Sequence, residues 1–146
     1  MKMAQLNVGK IVAPLDSPEM AEFVARLETV NARAESAPGF IWRLKDEGAG
    51  ATSIRIFEDD LILVNMSVWE NPELLHDFVY RQSDHSDALR RRREWFESVS
   101  EIMMVCWTIS DGHIPSIEEA RNKLTLLREN GSSKDAFTMK TALEFF

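Results

Sequence analysis

Apolar and polar residues alternate at the start of the chain, where Leu6 and Val8 are interleaved with Gln5 and Asn7. A period of two places successive side chains on opposite faces of a strand, so residues 3–12 are read as the first strand. The period then changes. Ser17-Pro18 offers a helix cap followed by a proline suited to the first turn, and Met20, Phe23, Leu27, Val30 and Ala34 follow at spacings of three and four. Pro38-Gly39 ends that helix. A second strand is expected over 40–45, a flexible connection over 46–53 around Gly48 and Gly50, and a short strand over 54–58. Residues 61–69, rich in branched side chains, give the clearest strand. Asn71-Pro72 repeats the cap-and-proline signal before a helix carrying Leu74, Leu75, Phe78 and Val79. A helical stretch over 86–98 and a last core strand over 102–109 complete the pattern, closed by Asp111-Gly112.

This order, β-α-β-β-α-β, is the ferredoxin-like α+β arrangement. One domain is expected, with a core over about 1–110 and a C-terminal helix and tail over about 111–146. In the appendage, Ser116-Ile117-Glu118-Glu119 reads as a capping box, and its helix buries Ile117, Ala120, Leu124 and Leu127 before Gly131. The tail has strand character at 136–139. A ferredoxin-like sheet carries its helices on one face, yet the third strand is apolar on both. Ile62, Val64, Met66 and Val68 line one side; Leu61, Leu63 and Trp69 line the other, with Asn65 and Ser67 between them. The uncovered face calls either for a twofold partner, giving a homodimeric α+β barrel, or for the chain's own C-terminal helix.

Composition narrows the partners. The chain has 146 residues, 45% hydrophobic and 28% charged, enough apolar content for a core and too ordered a mixture for a disordered segment. The net charge of −7 and pI of about 5.0 repel phosphate backbones, so nucleic acid is not an expected partner; the run Arg90-Arg91-Arg92-Arg93 is too short to reverse this. The lone Cys106 lies in an apolar run and is read as a buried, inert thiol. No leader peptide is visible and no apolar run approaches about 18 residues, so a cytoplasmic protein with no membrane partner is expected. No glycine-rich phosphate loop occurs, and no histidine pair has ligand spacing, so a metal site is not indicated.

Candidate chemistry falls in two places. Asn65 and Ser67 interrupt an apolar strand, where each satisfies a structural neighbour or faces a ligand. His85, Ala88, Leu89, Arg92 and Phe96 share one helical stripe, which turns Arg92 inward to an ion pair or a ligand and makes His85 either a hydrogen-bonded core histidine or a general base. His113 sits in a loop that could rim a pocket, and His76 points to solvent. Trp42, Trp69 and Trp107 are core residues or the walls of a site for a flat aromatic molecule.

The segments Gln5-Leu6-Asn7, Phe40-Ile41-Trp42-Arg43-Leu44, Val64-Asn65-Met66-Ser67-Val68-Trp69-Glu70, Phe78-Val79-Tyr80, His85, Arg90-Arg91-Arg92-Arg93-Glu94-Trp95-Phe96 and Gly112-His113-Ile114-Pro115 together resemble a bacterial family known only as a domain of unknown function. The resemblance runs to about residue 139 and implies the dimeric α+β-barrel superfamily. That superfamily includes the antibiotic-biosynthesis monooxygenases, which oxidise aromatic polyketide-like substrates without metal or flavin and use an asparagine and a tryptophan four residues apart on a strand. Asn65 and Trp69 have that spacing. What the resemblance implies is a cofactor-free monooxygenase-like enzyme with Asn65, His85 and Arg92 as catalytic candidates and Asn7, Trp42, Ser67, Trp69, Trp107 and His113 around the substrate. A metabolite-binding dimer without catalysis is the alternative. A haem-binding, haem-degrading relative is a further one: Asn7 and Trp69 match its pattern, but His76 comes too early and His85 too late for its histidine.

Overall fold

Four antiparallel strands form one sheet in the order β2-β3-β1-β4: β1 (Lys2–Lys10), β2 (Phe40–Arg43), β3 (Ile62–Trp69) and β4 (Met104–Ile109). This computed structural model describes residues 1–45, 61–81, 94–98 and 101–146. Helix α1 (Ala21–Glu35) connects β1 to β2, and α2 (Pro72–Arg81) follows β3. With β3 between β1 and β2, and β1 between β3 and β4, the topology is ferredoxin-like, as the element order predicts. Helix α3 (Ile117–Asn130) and the short α4 (Ala142–Phe145) complete the chain. No helix among the described residues is long and apolar enough to cross a membrane.

The alternation in β1 divides the core. Ala4, Leu6 and Val8 point to one face, joined by Val64, Met66 and Val68 of β3 and Val105, Trp107 and Ile109 of β4. Ala120, Leu124 and Leu127 of α3 seal that face, so it is hereafter the α3 face. Burying a leucine side chain contributes roughly 1.5–3 kcal/mol, which makes α3 a structural wall and not a loose appendage. The second face of β3 is therefore covered within one chain, and its apolar character does not by itself require a partner subunit.

On the opposite face, Met3, Trp69, Leu75, Cys106, Phe137 and Ala142 form a second cluster beneath α2 and the tail. Phe137 exchanges two backbone hydrogen bonds with Cys106 at 2.8 and 2.9 Å, so the tail blocks the free edge of β4. This is the strand character expected near 136–139, reduced to two isolated bridges, Phe137 with Cys106 and Ala136 with Ser133.

Local signals were met unevenly. Asn71 caps α2 by accepting the Leu74 N–H at 2.9 Å. Ser17 instead donates to the Pro14 carbonyl, and a single 3-10 turn (Pro18–Met20) precedes α1. Ser116 accepts the Glu119 N–H at 3.0 Å, one half of the capping box. The Glu119 carboxylate is used elsewhere: it binds Trp107 Nε1 and His113 Nε2, each at 2.7 Å. Of the helical stretch read over 86–98, residues 86–93 lie outside the described residues; the described part is helical at 94–95 and then leaves the helix, because Phe96 forms a bridge with Ile11 and Glu97 N–H donates to the Lys10 carbonyl. The expected short strand at 54–58 lies outside the described residues.

Candidate functional site

The register of β1 on β3 sets Asn7 directly opposite Asn65, and Gln5 opposite Ser67, all on the face away from α3. Next to the asparagines comes the pair Gly9 and Leu63. Two amides and a glycine leave a shallow place in the floor of the sheet. Helix α1 passes above it without a fully buried residue of its own. The space between is a cavity of about 190 Å³, with Phe23, Leu27 and Asn31 of α1 as its roof and Asn7, Leu63 and Asn65 as its floor.

Phe96 closes one end, and Gly9 is what lets it approach. A Cβ on Gly9 would stand 2.6 Å from Phe96 Cε1 and 2.8 Å from Cδ1. Phe23 then meets Phe96 edge-on at 5.2 Å and Trp95 at 5.5 Å, tying the roof to the wall.

A chain of hydrogen bonds fixes the floor. Gln5, only 5% exposed, donates through Nε2 to Asn65 Oδ1 at 3.0 Å and to Ser67 Oγ at 2.7 Å. Trp69 Nε1 donates to the same Ser67 oxygen at 2.9 Å. With its oxygen held by Gln5, Asn65 has its NH2 group left to donate, and no acceptor for it occurs among the described residues. Asn65 and Asn7 are both exposed to the cavity side. An amide donor held in place by a neighbour is suited to a developing oxyanion.

Arg43, on the edge strand β2, brings charge to the cavity wall. Its Nε donates to Glu35 Oε1 at 2.7 Å, and Lys45 Nζ reaches the same oxygen at 3.1 Å. Hydrogen bonds from Arg43 and then Lys45 hold the Glu35 carboxyl below its usual range. Two cations on one carboxylate leave the trio with a net positive charge.

The structure gathers some of the sequence candidates and separates others. Asn7 and Asn65 share the cavity floor. Ser67 and Trp69 are on the same face but buried; Trp69 stacks on Phe78 at 5.3 Å and meets Phe40 edge-on at 5.6 Å, so both connect to the cavity only through the Gln5 hydrogen bonds. Trp42 and Trp107 pack on the α3 face, and His113 is held beside that face by Glu119. The sheet stands between them and the cavity. His85 and Arg92 lie outside the described residues. His76 is exposed, with its ring 4.2 Å from that of Tyr80. Burial pushes the Cys106 thiol up to about 12, so it is not a thiolate at neutral pH. No group of three or more His, Cys, Asp or Glu stands together among the described residues.

Sequence reasoning missed Gln5, Asn31 and Arg43. Gln5 could have been suspected, because it shares a strand face with Asn7 two residues away. Nothing local marks Asn31 or Arg43, which reach the site only once α1 and β2 are laid against the sheet.

Solved structures similar to this one include the following two. SnoaB, a cofactor-independent oxygenase from Streptomyces nogalater, superposes with a TM-score of 0.50 at 18% identity, over 79% of this chain and 98% of that one. PA3566 from Pseudomonas aeruginosa superposes with a TM-score of 0.46 at 12% identity, over 75% of this chain and 94% of that one. At such identity the likeness to SnoaB is one of fold. No curated protein matches the sequence. The family described as Domain of unknown function (DUF3291) matches residues 2–145, nearly the whole sheet-and-helix unit described above, and the chain belongs to that family.

Proposed function

We propose that the protein is a monooxygenase-like enzyme that uses no cofactor and acts on a small aromatic or polyketide-like molecule bound between the sheet and α1. The observation that carries this reading is the Asn65 NH2 group, unspent and held by Gln5 at the floor of an apolar-walled cavity. An enolisable aromatic loses a proton to give an enolate or phenolate, and Asn65 donates to the oxygen on which the charge develops. The substrate anion then reduces dioxygen, a new C–O bond forms, and the O–O bond breaks with release of water. For an activated methylene, the carbon gives up both hydrogens and is oxidised to a carbonyl. One atom of the dioxygen becomes the carbonyl oxygen, and the other leaves as water with those two hydrogens. In this scheme Asn7 and the hydrophobic roof orient the ring, His85 takes the proton and Arg92 supports the anion. The fold shared with SnoaB, an oxygenase that works without a cofactor, favours the same class.

The test is oxygen uptake from a panel of enolisable hydroxyaromatics in buffer containing a metal chelator. One dioxygen should be consumed per carbonyl formed. Asn65→Ala should lower kcat by roughly 10²–10³-fold, the effect of removing one oxyanion donor, while the chain still folds, with a stability loss of about 1 kcal/mol from the Gln5 hydrogen bond. Equal turnover in wild type and Asn65→Ala sinks the assignment.

A second reading has its own support. Among the described residues lining the cavity, Arg43 is the sole titratable side chain, and it is not a proton acceptor at neutral pH. That favours a binding protein that retains a metabolite and turns nothing over. Native mass spectrometry of freshly purified protein separates the two readings: a retained small molecule together with no oxygen uptake supports the binder.

A further inference from the structure

We infer that the cavity takes a small aromatic acid, a single substituted ring whose carboxylate is met by Arg43. This rests on the proposed reading only in taking the cavity as the ligand site. Three observations converge on it. The first is size. A dry apolar cavity of about 150 Å³ holds one benzene molecule, so about 190 Å³ admits a ring with one or two small substituents. The second is the lining: Phe23, Leu27, Leu63 and Phe96 offer faces and edges to a ring.

The third is charge. The chain carries −7 overall, so an anion enters only where a local cation compensates. Arg43 is that cation among the described lining residues, and its side chain is 21% exposed. Of the five N–H bonds of a guanidinium, one goes to Glu35 and one at 3.4 Å to the Leu44 carbonyl. The others have no acceptor among the described residues. Glu35 anchors the Nε side, which leaves the planar fork oriented for a carboxylate. Asn7 in the floor and Asn31 in the roof, whose amides also lack described partners, add polar groups to the lining.

The test is calorimetric titration of the full chain with benzoate and with the isosteric neutral benzamide. Benzoate should bind at least tenfold tighter. Arg43→Gln should erase that preference. Glu35→Gln keeps an acceptor for the Arg43 Nε but removes the competing negative charge, so benzoate should bind severalfold tighter to that variant. Equal binding of the two probes by wild type overturns the inference. So does an unchanged benzoate affinity in Arg43→Gln with native near-ultraviolet dichroism. If Arg43→Gln does not fold, an unchanged affinity in Glu35→Gln overturns it. Benzoate has no enolisable C–H, so its binding is independent of oxygen chemistry. Uptake from neutral aromatics without benzoate binding retires this inference and keeps the oxygenase reading; benzoate binding with no uptake from any substrate does the reverse.

Discussion

Gln5→Met tests whether the floor of the cavity is held by the hydrogen-bond chain or merely decorated by it. Methionine has nearly the same length and volume as glutamine, so the packing is kept and two hydrogen bonds are lost, to Ser67 at 2.7 Å and to Asn65 at 3.0 Å. A typical net contribution is about 0.5–1.5 kcal/mol each. Two features pull the sum down. Ser67 keeps the Trp69 N–H and so is not orphaned, and Asn65 is exposed, so water replaces its lost donor. Gln5 Oε1 has no partner among the described residues, and removing that buried acceptor returns part of the loss. The expected destabilisation is therefore about 1 kcal/mol, or a fall in Tm of roughly 2–4 °C for a chain of this size. Urea unfolding followed by tryptophan fluorescence would measure it, with the slope m unchanged. The functional effect should be larger than the structural one, because Asn65 loses its fixed orientation; turnover, where found, should fall by about tenfold, equivalent to about 1.4 kcal/mol. A double-mutant cycle with Ser67→Ala isolates the pair. Stability and turnover both equal to wild type would refute the reasoning, since Gln5 would then position nothing.

Other perturbations reach different parts of the molecule. Leu124→Ala should cost about 2–5 kcal/mol in chemical denaturation, because the side chain is fully buried between α3 and the sheet; a loss under about 1 kcal/mol would mean that α3 is not part of the cooperative core. Gly39→Ala should be strongly destabilising, since Gly39 has φ of +87° and a Cβ would lie 2.5 Å from Leu74 Cδ1; an unchanged Tm would contradict that geometry. The Cys106 thiol is neutral in the folded state up to about 12 but ionises in the unfolded chain from its ordinary value of 9.0, so stability should fall as pH rises between these values. Cys106→Val should remove that alkaline loss, and native protein should resist a thiol reagent that reacts promptly in denaturant; prompt native labelling would show an accessible thiol.

The packing of α3 changes how self-association is argued. The strand pattern calls for something to cover the second face of β3, and either a partner subunit or the C-terminal helix answers it. Here Leu124 and Leu127 do so from the same chain. A homodimer is then a separate proposal, to be tested by sedimentation equilibrium.

Much of the fold was legible because helix and strand periods are local. The alternation around Gln5 and Asn7, the stripe from Met20 to Ala34 and the Asn71-Pro72 cap each depend on neighbours a few residues away, and together they fix the ferredoxin-like order. Alternation also put Asn65, Ser67 and Trp69 on one face without a partner in view. What it left open was which faces of different strands coincide. Trp42, Trp69 and Trp107 look equivalent in sequence, each on or at the end of a strand. Register decides otherwise: Trp42 and Ala4 both pair with Val68, and Ala4 pairs with Trp107, so these two tryptophans share the α3 face while Trp69 lies on the other. Register is set by long-range hydrogen bonding between strands, which no local pattern contains. Arg43 follows the same logic, reaching the cavity past an irregularity between Phe40 and Trp42. By itself, then, the sequence determined the four sheet strands, their order and the asparagine strand face; tertiary structure alone decided that Gln5 holds Asn65, that α3 seals the far face and that Arg43 charges the cavity, because each depends on contacts between segments distant along the chain.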